Sequence, residues 1–500
     1  MSLISTISSF SRLVFQIVIL DVLNCGLFRY HYEPRFTIDV LFLRKGNPVR
    51  IEFIAFKEFP PFADAKIDFP ESEEKDLAEV QLITGQNGSG KTRLLCALAA
   101  ACGNPADLQS RHTANDEHEL FVGFAHGNKR AIFDRSRNRF LVFAHENQSG
   151  QFVGNISELI ESNVKRDPVK IHNDKGQHHG NVKFEGQHQN LLQWAIPKES
   201  FSAQVYRGSG RISDQKISAM QPVPAGNPIL HLSFDRSKDE DALVCQSMAN
   251  LKMGAAMEYQ SGAPREECRS IKITERFEKA IATVTGRPFS FQVVPNPEVH
   301  LVARWGGAVM NLATLPDGLR SIIASLVACI AKLESQFPDN PDPIDIPLIL
   351  LLDEPESHLH PAWQRQLIPA AQQLFPNAQI FVVTHSPFVI SSVNSGWIHV
   401  LRMDEKGTVK VDAPIPCSKG DSYIDAVEDV LGLTQWYDPE TESLLTEFRS
   451  LRDKVLQGKE TVTSLEAKAK EIGSRSDALK GVMARELHQV HTNLPEGVAQ

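Results

Sequence analysis

The octapeptide GQNGSGKT, Gly85–Thr92, decides the fold class. It fills every fixed position of G-x-x-x-x-G-K-[ST], and it stands between an alternating apolar run, EVQLIT, and a helix-forming run, RLLCALAAACG. Glycines at 85, 88 and 90 let the backbone turn its amides around phosphate oxygens, and the helix that starts after Gly90 adds its positive end. Lys91 supplies a point charge to the β- and γ-phosphates, and Thr92 offers a hydroxyl to magnesium. The candidate nucleotide contacts are Gly85, Asn87, Gly88, Ser89, Gly90, Lys91 and Thr92.

A strand that carries a phosphate loop needs an acidic partner strand. LILLLDEPESHLHP, residues 348–361, supplies one: five aliphatics suit a parallel strand covered on both faces, and ligands gather at the carboxyl ends of such strands. A strand this apolar has no structural reason to end in two acids. Asp353 is the candidate magnesium acid, and Glu354 the candidate that orients and polarises water. Glu356, beyond Pro355, reads as a solvated-loop or helix-start residue. Pro361 opens the next helix, and the buried strand AQIFVVTHSP then brings His385 to the same edge, 32 positions after Asp353 (385 − 353). There it has the reach to bond a γ-phosphate.

Lys91 and Asp353 are 262 positions apart (353 − 91), far more than a compact P-loop domain uses. ABC-type ATPases have this layout, with a module inserted between the two halves. Their site is completed by a glycine-containing turn from a second protomer, and LPDGLRS, 315–321, occupies the matching place. Gly318 and the helix after it have amides to donate to an anion; Asp317 either shares in that contact or caps the helix. In order, GQNGSGKT, LPDGLRS, LLLDEPESHLHP and VVTHSP resemble the ABC-like ATPases of the SMC, RecF and OLD group. The phrase DEPESHLHP looks more like the OLD-type and antiphage-defence ATPases than like transporter subunits, and the tail GDSYIDAVEDVLGLTQWYDPETESLLTEFRSLRDKVL is similar to the Septu and retron PtuA kind, with AriA of PARIS as the second choice.

The resemblance implies an α/β P-loop head with a mixed, mostly parallel sheet, a large α/β insertion between the two Walker motifs, and a helical C-terminal tail. It implies ATP and magnesium as cofactor and metal, hydrolysis, and a head-to-tail homodimer or higher oligomer. It also implies a regulatory role beside a separately encoded effector nuclease, of HNH type or alternatively TOPRIM type. His358 and His360 fall where such proteins communicate across the dimer. No TOPRIM domain is expected in the 115 residues after His385 (500 − 385), which read as helices. The competing readings are a genome-maintenance ATPase like RecF and a scaffold that ATP merely locks. LPDGL in place of a transporter's LSGGQ argues against a transporter subunit, and Gln148, Gln151 and Gln204 all remain open as the glutamine-loop residue.

Composition sets outer bounds. Five hundred residues with 42% hydrophobic content and a net charge of −9 describe a folded chain, in which any nucleic-acid contact must come from a local basic patch. Lys129, Arg130, Arg135, Arg137 and Arg139 form such a patch for DNA or RNA, or simply a solvated basic face. Seven scattered cysteines without a C-x-x-C pair fit reduced thiols and a cytoplasmic location. The apolar start, SRLVFQIVILDVLNCGLF, is interrupted by Asp21 and reads as neither signal peptide nor anchor, so no membrane is expected. His172, His178, His179 and His188 match no zinc spacing and read as a polar loop. The expected organisation is an extension at 1–35, a first ATPase half at 36–145, an inserted module at 146–300, a second half at 301–410, and a helical region at 411–500.

Overall fold

The computed structural model describes residues 49–72, 74, 77–102, 108, 118–126, 129–134, 139–144, 182–183, 202–207, 238–294, 300–417, 422–432 and 435–493. Residues 1–48, Gln148, Gln151 and the four histidines between 172 and 188 lie outside the described residues. So do Arg135, Arg137 and the side chains of Lys129, Arg130 and Arg139.

In chain order the strands are β1 (Val49–Lys57), β2 (Lys66–Asp68), β3 (Glu79–Gly85), β4 (Glu119–His126), β5 (Lys129–Asp134), β6 (Arg139–Ala144), β7 (Val182–Lys183) and β8 (Ser202–Arg207). They continue as β9 (Phe289–Val294), β10 (His300–Trp305), β11 (Ala308–Asn311), β12 (Leu348–Asp353), β13 (Ala378–Val383), β14 (Trp397–Met403), β15 (Val409–Val411) and β16 (Ile415–Pro416). The principal helices are α1 (Lys91–Ala101), α2 (Lys238–Ser261), α3 (Arg269–Thr285), α4 (Asp317–Gln336), α5 (Pro361–Leu374), α6 (Pro439–Leu456), α7 (Val462–Gly473) and α8 (Asp477–Asn493).

A seven-stranded sheet positions the site. Its order is β15-β14-β3-β13-β12-β8, with β16 also on β14; the pairs from β14 through β8 are parallel. Every residue of β12 and β13 is buried, as strands covered on both faces must be. β13 therefore separates the phosphate-loop strand from the acidic strand. The stretch 146–300 contributes β8 to this sheet, and α2 and α3 to the core above it.

The two faces of the sheet differ in what covers them. On one side α1 is buried nearly all round, between this sheet and an antiparallel sheet of order β2-β1-β4-β5-β6-β7. Its alanines at 97, 99, 100 and 101 leave a slim helix that both sheets approach closely. The opposite face packs on α2, α3, α4 and α5 in a second core, beside the meander β11-β10-β9. Ile322, Ile323, Leu326, Val327, Ile330 and Leu333 of α4 are all buried there, the stripe that the helical spacing requires. Helices α6, α7 and α8 enclose a third, separate core around Phe448, Val455, Leu465 and Ile472.

Polar groups tie the layers together. β1 bulges between Ile51 and Phe53, and Gln379 of β13 serves the interrupted strand: its Oε1 accepts from Ile51 N at 2.7 Å while its Nε2 donates to Ile51 O at 2.9 Å. Glu79 accepts from Arg50, Gln81 and Gln379 nearby. His399 is fully buried against Gln81 Oε1 at 2.7 Å, and its Nδ1 has no partner.

Gly318 lies in the first turn of α4, whereas the sequence places it in the turn before the helix; Pro316 is the N-cap and Asp317 the first helical residue. Asp317 does not cap with its side chain and instead pairs with Arg320 one turn on. The glycine is required by packing: a Cβ there would stand 2.6 Å from Leu359 Cδ2 and 2.8 Å from the His358 carbonyl oxygen.

Two expectations follow. Gly318→Ala must push that backbone carbonyl aside, and it lowers the denaturant-unfolding free energy by about 1–3 kcal/mol. Burial holds His399 down at about 4, below the ordinary 6.5, so the unfolded chain takes up its proton first and stability falls as pH drops from 6.5 towards 4. Between pH 7 and pH 5 that residue removes about 2 kcal/mol, and urea unfolding of His399→Gln at the two pH values should show this part of the loss abolished.

Candidate functional site

The parallel ladder continues past its strand ends. Thr384 N donates to Ile83 O at 3.1 Å and Glu354 N donates to Val383 O at 2.9 Å, so the loops after β3, β13 and β12 leave from one edge. Gly85 ends β3 at φ 147°, where a Cβ would lie 2.1 Å from the Leu401 carbonyl oxygen. Gly90, the N-cap of α1, has φ 84° and makes no side-chain cap, which leaves the first-turn amides for an anion. Gln86, Asn87 and Gly88 form the exposed rim. The Ser89 side chain turns inward and is buried without a partner, so this residue offers a ligand its main chain.

Lys91 is 6% exposed, and its Nζ donates to Gly85 O at 2.9 Å and Gln86 O at 2.7 Å across the loop. Burial lowers its pKa, while the charges of Glu354 and Asp353 act in the opposite sense. Thr92 and Asp353 are 261 positions apart in sequence and in contact in space: the Thr92 hydroxyl lies 3.2 and 3.3 Å from the two carboxylate oxygens. Asp353 is 1% exposed. Glu354 is exposed and held at φ 47°, a left-handed conformation that costs a non-glycine residue about 1–2 kcal/mol.

His385 leaves the end of β13 half-buried. Burial lowers its pKa, the neighbouring Lys91 charge lowers it further, and Glu354 opposes both. The ring is therefore neutral at pH 7, with one N–H to donate. Lys91, Thr92, Asp353, Glu354 and His385 thus gather at one sheet edge. The structure places Asp317 and Gly318 against the far end of the Glu354 loop, through the contact with His358 and Leu359.

The reading of Glu356 as a solvated residue is overturned. It is 7% exposed and accepts from the Thr384 hydroxyl, because the turn after Glu354 folds the chain back over the end of β13. Burial raises its pKa and the Thr384 hydrogen bond opposes the rise. Gln204 is also a core residue: Tyr206 Oη donates to its Oε1 at 2.5 Å, and its Nε2 donates to Cys329 O at 3.3 Å, so its amide does not face the loop. His360 is exposed and caps α5, its Nδ1 accepting from Ala362 N at 3.2 Å. Among the described residues, no cluster of three or more His, Cys, Asp or Glu is placed to hold a metal.

Sequence reasoning passed over Phe62 and Thr384. The turn FPPF, 59–62, packs its Phe62 ring against Gly90, within 2.9 Å of where a Cβ would be, and the two aromatics around paired prolines were its only signal. A cavity of about 30 Å³ lies on the other face of β12, among Leu350, Leu352, Ile322, Leu367 and Phe375. Asp353 shares a face with Ile349 and Leu351, so this apolar space is separate from the phosphate loop.

A hydroxyl and a buried carboxylate within 3.3 Å of each other fit a small, hard cation that takes oxygen ligands and keeps several waters. The charge and backbone donors around the loop fit a nucleoside triphosphate. No helix among the described residues is long and apolar enough to cross a membrane.

An AAA domain model described as putative AbiEii toxin, Type IV TA system, matches residues 164–391, and a second AAA domain model matches residues 53–220. Retron Ec83 probable ATPase of Escherichia coli is 30% identical over 118 residues, 24% of this chain and 22% of that protein. Septu protein PtuA of Bacillus thuringiensis is 30% identical over 170 residues, 33% of this chain and 42% of that protein. A Septu protein PtuA of Bacillus mycoides is 21% identical over 377 residues, 75% of this chain and 43% of that protein. The chain thus matches less than half the length of each of these relatives. The SMC head domain from Thermotoga maritima aligns over 73% of this chain and 99% of its own, at 14% identity and a TM-score of 0.35. The chain carries a P-loop ATPase domain of AAA type, similar in sequence to a retron probable ATPase and to Septu PtuA proteins.

Proposed function

We propose that this protein binds ATP with magnesium and hydrolyses it, and that the cycle drives a sensor or regulator of an antiphage defence complex. The observation that carries the hydrolytic reading is the contact between Thr92 and Asp353 at an edge that also holds Lys91, Glu354 and His385. The loop amides and Lys91 bind the β- and γ-phosphates, and Lys91 exchanges its two loop carbonyls for phosphate oxygens. Thr92 and Asp353 hold magnesium, which supplies charge to offset that of the phosphates.

Glu354 accepts a hydrogen bond from the attacking water and takes its proton as the oxygen bonds to the γ-phosphorus. The bond to the β-phosphate oxygen breaks, leaving ADP and phosphate. Neutral His385 donates its N–H to a γ-phosphate oxygen and holds that group in line. Glu354 is exposed on a left-handed backbone at the strand end, which leaves its carboxylate open to the water it must accept from.

Gly318 and the amino end of α4 complete the site of a second copy, in a head-to-tail dimer with ATP between the heads. Supporting this are the LPDGLRS segment that opens α4 and the exposure of its Asp317. The names of the retron and Septu relatives support the defence role. A separately encoded effector nuclease, HNH or TOPRIM in type, is the partner that this role requires; Lys129, Arg130, Arg135, Arg137 and Arg139 are the proposed nucleic-acid contacts.

Glu354→Gln removes the proton acceptor and keeps the shape, so ATP turnover falls by about 10²-fold or more while nucleotide still binds. Unchanged turnover would remove Glu354 from its role. Light scattering adds a second reading: the same variant forms a dimer with ATP present, and Lys91→Ala, which loses the phosphate charge, stays in its ATP-free state.

A further inference from the structure

Glu356 takes no part in the proposed chemistry, yet with Asp353 it is one of two buried acids among the described residues. Its Oε1 accepts from the Thr384 hydroxyl, and the backbone N–H groups of Glu356 itself and of His385 also favour its charged form. Withdrawing a carboxyl group from water is costly, and a loop with no positional duty would leave it in solvent. Thr384 is held from both sides, since its Oγ1 also accepts from Ser386 N at 2.9 Å and its own N–H donates to Ile83 O at 3.1 Å.

A second latch lies two residues further on. Ser386 Oγ donates to Gln364 Oε1 at 2.6 Å, and Gln364 Nε2 donates to Leu359 O at 2.9 Å. His385 therefore sits between two residues that are each fastened to the segment following Glu354, one through Glu356 and the other through α5. The loop that carries the histidine and the loop that carries the candidate base are fixed to each other by side chains, in addition to the ladder bond from Glu354 N to Val383 O.

We propose that Glu356 is a positioning residue for ATP hydrolysis: through Thr384 it holds the His385 backbone in register with Glu354. The proposal rests on the hydrolytic reading above and adds a residue that touches neither nucleotide nor metal. What Glu356 contributes is an acceptor at a fixed place. An amide oxygen at the same point serves as well, and a side chain of similar size without an acceptor does not.

The test is steady-state ATP hydrolysis by the full chain and its variants. Glu356→Met and Thr384→Val lower kcat about tenfold with KM for ATP within about twofold, while Glu356→Gln and Thr384→Ser stay within about threefold of wild type. When His385 is first replaced by alanine, Glu356→Met costs less than about twofold more, because its effect passes through the missing ring. Equal losses from Glu356→Met with and without His385 would overturn the proposal, as would a Glu356→Gln loss as large as that of Glu356→Met. If Glu356→Met does not fold, the Thr384 pair and its combination with His385→Ala carry the same comparison. Absence of hydrolysis by the wild-type chain would instead overturn the hydrolytic reading, and the positioning role with it.

Discussion

Everything at the candidate site depends on bringing a hydroxyl on the first turn of α1 to a buried carboxylate at the end of β12. The two residues belong to halves of the chain that are far apart in sequence. A sheet in which β13 lies between β3 and β12, all three parallel, delivers them to one edge. Once that order is set, the remaining geometry is constrained. α1 must start where β3 ends, so it passes beneath β12 and β13, and the antiparallel sheet must cover it from the other side.

This constraint explains the composition of the layers. A helix enclosed between two sheets has no solvated face, and α1 accordingly lacks the charged stripe seen on α3. The all-apolar run of β12 has the same origin, because its odd and even positions serve different cores: Ile349 and Leu351 face α1, whereas Leu350 and Leu352 face the helices on the other side. Asp353 continues the first of these series. Its side chain is directed to Thr92 by the alternation of the strand itself.

Much of this was legible from residues alone. The phosphate loop between strand and helix, the acids at the end of an aliphatic strand and the histidine one helix and one strand later are local patterns, and local patterns survive in sequence. The parts that escaped depend on contacts between distant segments. Glu356 reads as solvated because nothing within its own loop shows that the chain folds back onto Thr384. Gly318 reads as a turn glycine because the carbonyl that excludes its side chain belongs to His358, in another part of the sequence. Gln379, a polar residue in an otherwise apolar strand, gives no hint that it repairs the hydrogen bonding of β1 across the sheet. The burial of β8 against β12 was likewise hidden, since SAQVYR is short and polar at alternate positions.

The three-helix tail has a different relation to the rest. Phe448, Val455, Leu465 and Ile472 pack among themselves, in a core that shares no residue with the two cores flanking the parallel sheet. Substitutions on its outer faces therefore leave the residues that align Asp353 with Thr92 undisturbed. The phosphate-loop edge, by contrast, answers to two cores at once, so a change of volume in either one reaches it.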